Sequence, residues 1–99
     1  MSIDYAEKLR QIRKAEGLTQ AAFAQQTGVS LSTIKSYETG HQPARAETVE
    51  KVINTQLFEK YTLWLMTGKT APIAGQVSPS LSPDGQDNKI SSRSTRKIG

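Results

Sequence analysis

The amino-acid sequence predicts an all-α fold of five helices followed by a short extended arm. Two observations support this: apolar residues recur at helical spacing through the first two thirds of the chain, and glycine or proline separates successive segments. After Gly68 the helical pattern stops, and proline, glycine and serine become frequent. We therefore predict a helical domain at 1–68, an arm at 69–82 whose apolar spacing allows a short strand or hairpin, and a disordered tail at 83–99.

The first two helices have recognisable ends. The first is predicted from Tyr5 to Glu16, because Asp4 can cap it and Glu7 stands where a capping box needs an acid. Thr19 is the candidate N-cap of the second helix. That helix ends before Gly28, where a tight turn requires a positive φ that glycine adopts without strain.

The third predicted helix runs from Leu31 to Thr39 and follows the second after a very short turn. Ser30 is a good N-cap for it. Its apolar residues face inward, so the exposed face carries short hydrogen-bonding side chains and one cation. A DNA major groove accepts such a helix. The exposed set is Ser32, Thr33, Lys35 and Ser36.

Two more helices are predicted, from Ala46 to Asn54 and from Gln56 to Thr67, after a loop that contains Pro43. The fifth helix is apolar on nearly all sides, and such a helix must be covered on all sides. In so short a chain we expect a second copy of the same helix to cover it, which makes the protein a homodimer. The expected interface residues are Phe58, Tyr61, Trp64 and Leu65.

Composition excludes several classes of protein. The chain has no cysteine, which rules out disulfide scaffolds and cysteine-ligated zinc sites, and its single histidine, His41, has no second ligand at metal-binding spacing. No nucleophile–base pair is present, so we expect no enzyme activity, cofactor or small-molecule ligand. The N-terminus lacks a signal-peptide core, and the longest apolar stretch, Leu63 to Met66, cannot span a membrane. We therefore expect a cytoplasmic protein.

The net charge of +4 suits an anionic partner. Residues 1–56 nevertheless hold seven Lys and Arg against six Asp and Glu, whereas residues 57–99 hold six against three. Much of the excess therefore lies in the tail, and the prediction of DNA binding rests on the helical motif and not on overall charge.

Around the predicted turn the sequence carries a longer pattern, made of Leu18-Thr19-Gln20, Ala24, Gly28-Val29-Ser30, Ile34, Glu38-x-Gly40 and Pro43. This pattern resembles the lambda-repressor-like, Xre-type helix-turn-helix family, and the resemblance covers residues 9–53. With its length of 99, its stretch Lys60-Tyr61-Thr62-Leu63-Trp64 and its Ala71-Pro72…Gly75-Gln76 tail, the full chain is similar to the short C immunity repressors of temperate enterobacterial phages.

The resemblance implies roles for individual residues. Leu31, Ser32 and Ser36 match base-facing positions, and Thr33 and Lys35 flank them within reach of a phosphate or a base edge. Leu31 could contact only a thymine methyl group, so these residues do not define the operator sequence.

Other residues match supporting roles in the family. Gln20 matches the residue that caps a phosphate and braces the third helix, and Arg13 with Glu38 matches a structural ion pair. Arg10 and Lys14 are further candidates for phosphate contact, while His41 either faces a phosphate or is merely exposed.

The expected function is sequence-specific operator binding and transcriptional repression, as in a phage immunity repressor that blocks lytic genes to maintain lysogeny. The alternative is an antitoxin that binds a toxin protein, for which the tail would be available, and that represses its own operon. The expected partners are double-stranded operator DNA and a second copy of the chain.

Overall fold

A computed structural model describes residues 4–80 of the chain, and within them the fold is helical, as predicted. The fourth α-helix is joined to the fifth by a 3-10 helix, Gln56–Tyr61, and a 3-10 turn, Pro72–Ala74, follows the fifth. The disordered tail predicted at 83–99 lies outside the described residues. The α-helices are α1 (Tyr5–Ala15), α2 (Gln20–Thr27), α3 (Leu31–Glu38), α4 (Ala46–Ile53) and α5 (Thr62–Thr67).

Side chains cap the first three helices where the sequence predicts them. The Asp4 carboxylate accepts a hydrogen bond from the Glu7 amide at 3.1 Å. The Thr19 hydroxyl accepts from the amide of Ala22 at 3.0 Å, at the start of α2. Each cap satisfies a backbone N–H that the first turn of a helix leaves without an intrahelical partner. The helix boundaries in this half of the chain are therefore set by local chemistry.

A single apolar core joins the two halves of the chain. The rings of Phe23 on α2 and Phe58 in the 3-10 helix pack with centroids 5.1 Å apart and planes tilted by 51°. The buried apolar residues are Leu9, Ile12, Phe23, Val29, Ile34, Tyr37, Val49, Val52, Phe58, Tyr61 and Leu65.

The prediction of one continuous helix from Gln56 to Thr67 is wrong. The chain is a 3-10 helix as far as Tyr61 and becomes α-helical from Thr62. The returning arm accounts for the change, because the Gln76 side chain accepts from the Leu63 amide at 2.9 Å and donates to the Glu59 carbonyl at 3.1 Å. The Leu63 amide and the Glu59 carbonyl therefore have hydrogen-bond partners although the chain changes there from a 3-10 helix to an α-helix.

The arm itself forms a bridge and not a regular strand. Ala71 and Gln76 make an isolated antiparallel bridge around the 3-10 turn, and this is the only strand-like pairing within residues 4–80. The Val77 amide then donates to the Lys60 carbonyl at 2.8 Å. The arm is thereby bonded back onto the 3-10 helix.

The expected dimer interface is wrong for three of its four residues. Phe58, Tyr61 and Leu65 are 0%, 4% and 0% exposed within the single chain, so they are unavailable to a second copy. The reason is that α1 and α2 cover this side of the chain, and the Tyr61 hydroxyl donates to the Glu16 carboxylate at the end of α1.

Trp64, the fourth expected interface residue, is half-buried against the core. The ammonium of Lys8 lies 4.8 Å from the centre of its ring. The same ammonium donates to the carbonyl oxygens of Trp64 and Leu65 at 3.0 and 3.2 Å. Lys8 therefore ties α1 to α5 through both a cation–π contact and backbone hydrogen bonds.

Every helix within residues 4–80 is too short or too polar to reach across a bilayer. Within the same residues, no cluster of three or more His, Asp or Glu side chains could hold a metal ion.

Candidate nucleic-acid interface

The turn between α2 and α3 is held by glycine geometry and by one buried threonine. Gly28 adopts φ +81°, and its amide donates to the Ala24 carbonyl. The hydroxyl of Thr27, which is 8% exposed, donates to the Phe23 carbonyl at 2.8 Å and accepts from the Val29 amide at 3.1 Å. These two hydrogen bonds fix the path of the backbone through the turn. Sequence reasoning missed Thr27, although a hydroxyl residue directly before a turn glycine is a usable signal.

The turn presents one face of α3 to solvent and buries the other. Ile34 and Tyr37 are 0% and 2% exposed and hold the helix against the core. Ser32 and Lys35 are exposed, and Leu31 keeps 37% of its surface accessible. The half-buried Thr33 and Ser36 complete the set, so all five predicted base-facing or flanking residues reach the surface of α3.

The start of α3 carries a small network of hydroxyl groups. The Ser30 hydroxyl accepts from the Thr33 amide at 3.2 Å and donates to the Thr33 hydroxyl at 2.7 Å. The hydroxyls of Ser30 and Ser32 lie 3.3 Å apart. Because Ser30 has a single hydroxyl proton and Thr33 receives it, Ser32 is the donor in that second contact. Two of the predicted DNA-facing hydroxyls therefore already have partners in the chain.

The other end of α3 is tied to α1 by a bidentate ion pair and to α2 by a hydrogen bond. The Nε and Nη2 atoms of Arg13 donate to the two carboxylate oxygens of Glu38 at 2.8 and 2.9 Å. Arg13 Nη1 also donates to the Leu18 carbonyl at 2.8 Å, and Gln20 Nε2 donates to Glu38 Oε1 at 3.0 Å. The Arg13 and Glu38 side chains are 13% and 4% exposed, so solvent screens this pair only weakly.

The ionisation of Glu38 follows from these contacts. Burial alone would raise the pKa of its carboxyl group. Hydrogen bonds from Arg13 and Gln20, with the positive charges of Arg13 and Arg10, outweigh burial and hold the pKa below its ordinary value. Glu38 is therefore a carboxylate at neutral pH, and the clamp on α3 is a pair of full charges.

These contacts hold α2 and α3 as two helices joined by a short turn at Gly28. Residues 4–55 match the family described as a helix-turn-helix domain. The chain belongs to this family. It is also 37% identical over 99 residues to Repressor protein C of Escherichia phage P2, and the match spans 100% of each chain. The family match covers α1 to α4, and the similarity to the phage protein extends through α5 and the arm.

The residues predicted to contact phosphates in this helix-turn-helix chain lie in different parts of the structure. Gln20 is the first residue of α2, and the N-terminal end of a helix attracts anions, although the Gln20 side chain also braces Glu38. Arg10 lines a cleft beside the end of α3 and lies 3.8 Å from the Glu7 carboxylate. Lys14 is exposed near the end of α1, and the exposed His41 ring lies 3.2 Å from the Thr39 hydroxyl.

A second basic region of the helix-turn-helix chain escaped sequence reasoning. A cleft of about 300 Å³ lies between the starts of α3 and α4, and Arg45 and Lys51 line it with Thr48. The same cleft contains the acidic Glu47. Within residues 4–80, no side chain caps the N-terminus of α4, where the Thr48 amide donates instead to the Arg45 carbonyl at 3.0 Å. In the sequence, the available signal was that Arg45 and Lys51 lie on either side of the first turn of α4. Only the fold shows that these two cations lie beside Ser30.

Proposed function

We propose that this protein is a sequence-specific DNA-binding transcriptional repressor whose α3 enters the major groove. The observation that carries the proposal is the polar, exposed face of α3, clamped at its end by Arg13, Glu38 and Gln20 in a chain of the helix-turn-helix family. The similarity over its full length to a phage repressor supports repression as the outcome, in preference to the antitoxin alternative. Bound protein would block transcription by excluding polymerase from the promoter. The proposed targets are the lytic genes of a phage, whose silencing maintains lysogeny.

The phosphate contacts would fix the register of α3 on the duplex. One set lies near the end of α3 and the start of α2, where Arg10 and Gln20 stand, and the other lies in the cleft with Arg45 and Lys51. Contacts on both sides of a recognition helix orient it without carrying sequence information. Base discrimination therefore falls to the exposed side chains of α3. Footprinting of the DNA upstream of the protein's own gene tests the proposal directly, since a discrete protected site is expected there.

Replacing Ser36 by alanine should weaken binding to the protected site but not to random DNA. A lost base contact costs about 1–3 kcal/mol at the specific site, and the Ser36 side chain lies on the exposed face of α3 without a core role. Ser32→Ala is expected to act in the same direction. The measurement is a titration of each variant against the protected duplex and against a scrambled duplex.

Ser78→Ala is the matched control, because Ser78 is an exposed serine in the arm, away from α3. It should bind both duplexes as the unmodified protein does. Equal losses on both duplexes for Ser36→Ala would remove Ser36 from the base-reading set.

We also propose that the repressor is a homodimer, joined through the arm and not through the buried face of α5. Ile73 at the tip of the 3-10 turn is fully exposed, and beside it lies an open, largely apolar groove of about 630 Å³. One chain thus carries a protruding apolar side chain and an apolar recess next to each other, so two copies can bury the same surface against each other in a two-fold contact. The apolar lining of the groove is Ile53, Leu63, Ala71 and Ala74.

Replacing Ile73 by aspartate should weaken self-association at least tenfold. The substitution places a charge where an apolar side chain would be buried, and a tenfold change corresponds to about 1.4 kcal/mol. Because Ile73 is exposed in the single chain, the fold itself should be unaffected. Sedimentation equilibrium across micromolar concentrations measures the change.

Leu57→Asp is the control for that experiment, since Leu57 is 38% exposed but lies beside Gln26, outside the groove. It should leave the dimerisation constant unchanged. A dimer that survives Ile73→Asp with its original constant would refute the proposed interface.

A further inference from the structure

The recognition helix lacks the side chains that most often discriminate bases. The sequence of α3, LSTIKSYE, contains no Gln, Asn or Arg. Those side chains make the bidentate hydrogen bonds that identify adenine or guanine in the major groove. Lysine can approach guanine, and serine can bond to several bases, so hydrogen bonding alone gives α3 limited discrimination.

The hydroxyl groups at the start of α3 are also partly engaged. Ser32 donates toward Ser30 at 3.3 Å, and the Thr33 hydroxyl accepts from Ser30 at 2.7 Å. A base acceptor that bonded to Ser32 would compete for its single hydroxyl proton, whereas Thr33 keeps its own proton free to donate. The residues at the start of a recognition helix are nevertheless those that reach base edges. Among them, Leu31 has an apolar side chain, which makes no hydrogen bond within the protein that DNA binding would break.

Leu31 is the first residue of α3 and keeps 37% of its surface exposed, while Ile34 and Tyr37 on the same helix are buried. An apolar side chain at this position can distinguish bases only by what is apolar in the major groove. The C5 methyl group of thymine is the one such group that the four standard base pairs present there.

We propose that Leu31 packs against the C5 methyl group of a pyrimidine in the bound site, so that recognition at this position depends on the methyl group and not on a hydrogen bond. This inference rests on the proposed function, because it requires α3 in the major groove. Thymine is the standard source of the group, and 5-methylcytosine carries the same methyl at the same carbon. Deoxyuridine and unmodified cytosine lack it.

The test uses DNA in which only the methyl group changes. The probe is a synthetic duplex carrying the sequence that the full chain selects from a random library, with each thymine replaced in turn by deoxyuridine. Watson–Crick pairing and every hydrogen-bonding atom are retained. Burial of one methyl group predicts about a fourfold loss of affinity at one thymine in each half-site, and little change elsewhere. Placing cytosine and then 5-methylcytosine at that position should show a similar gain on methylation.

Leu31→Ala identifies the side chain responsible. This variant should bind the thymine and deoxyuridine duplexes equally, whereas Leu57→Ala, at an equally exposed leucine remote from α3, should keep the difference. Unchanged affinity for every deoxyuridine duplex would overturn the inference, and so would a methyl effect that persists in Leu31→Ala. Failure to select any sequence from the library would instead count against the proposed function, so the two failures are distinguishable.

Discussion

Replacing Arg13 by alanine is expected to lower the free energy of unfolding by about 3 kcal/mol, the lower end of the range found when one partner of a buried ion pair is removed. The Glu38 side chain is 4% exposed, and Arg13 supplies two of its hydrogen bonds. Without Arg13, the carboxylate stays buried with only Gln20 as a donor among the contacts seen here. Chemical denaturation at neutral pH measures the loss.

The pH dependence of that loss distinguishes an ion pair from simple packing. In the folded protein the Glu38 pKa lies below its ordinary value, so the pair stabilises the fold above the ordinary carboxyl range. This stabilisation disappears as the pH falls through the lowered, folded-state pKa. The difference in stability between the original protein and Arg13→Ala should therefore narrow in acid.

Lys14→Ala provides the control, since Lys14 is an exposed cation on the same helix as Arg13. Substitutions at exposed positions change stability little, so the stability of this variant should change by at most about 0.5 kcal/mol. An Arg13→Ala variant with full stability and lost DNA binding would assign Arg13 to the DNA instead.

Binding to the specific duplex should weaken about 10³-fold between 50 and 200 mM salt, since six neutralised phosphates give a log–log slope of about −5. The expected contributors are the start of α2 at Gln20, with Arg10 and Lys14, and the cleft that contains Arg45 and Lys51. Titrations at a series of salt concentrations measure the slope.

Single substitutions show which cations contribute to that slope. Lys51→Ala should reduce its magnitude by about 1, because one phosphate contact is lost. Lys69→Ala, in the arm, should leave the slope unchanged. An affinity that stays constant from low to moderate salt would be incompatible with α3 lying in the groove.

The first half of the fold could be predicted because its signals are local. Asp4, Thr19 and Ser30 each cap a helix within three residues of themselves, and Gly28 meets a backbone requirement at its own position. Hydrophobic spacing likewise separated the buried Ile34 from the exposed face of α3. Such features depend on near neighbours, which one sequence displays.

The second half depends on contacts between distant residues. The helix break at Tyr61 is supported by Gln76, fifteen positions later, and no periodic pattern contains that bond. The number of apolar residues likewise does not show whether Phe58 is covered by a second copy of the chain or by Phe23 of the same chain. In the candidate site, Arg45 and Lys51 were missed for the same reason, since only the packing of α4 places them beside α3.

The completeness of the core within one chain has a consequence for how the protein would respond to its own abundance. Phe58, Tyr61 and Leu65 are covered without a partner, so a single copy can fold before it associates. If two copies pair through the exposed arm, as proposed, this pairing is a reversible equilibrium and not a step in folding. At low abundance the concentration of paired repressor rises with the square of total protein. A modest fall in synthesis would therefore lower operator occupancy more steeply than it would for an obligate dimer. The regulated genes would then switch from repressed to expressed over a narrow range of protein concentration.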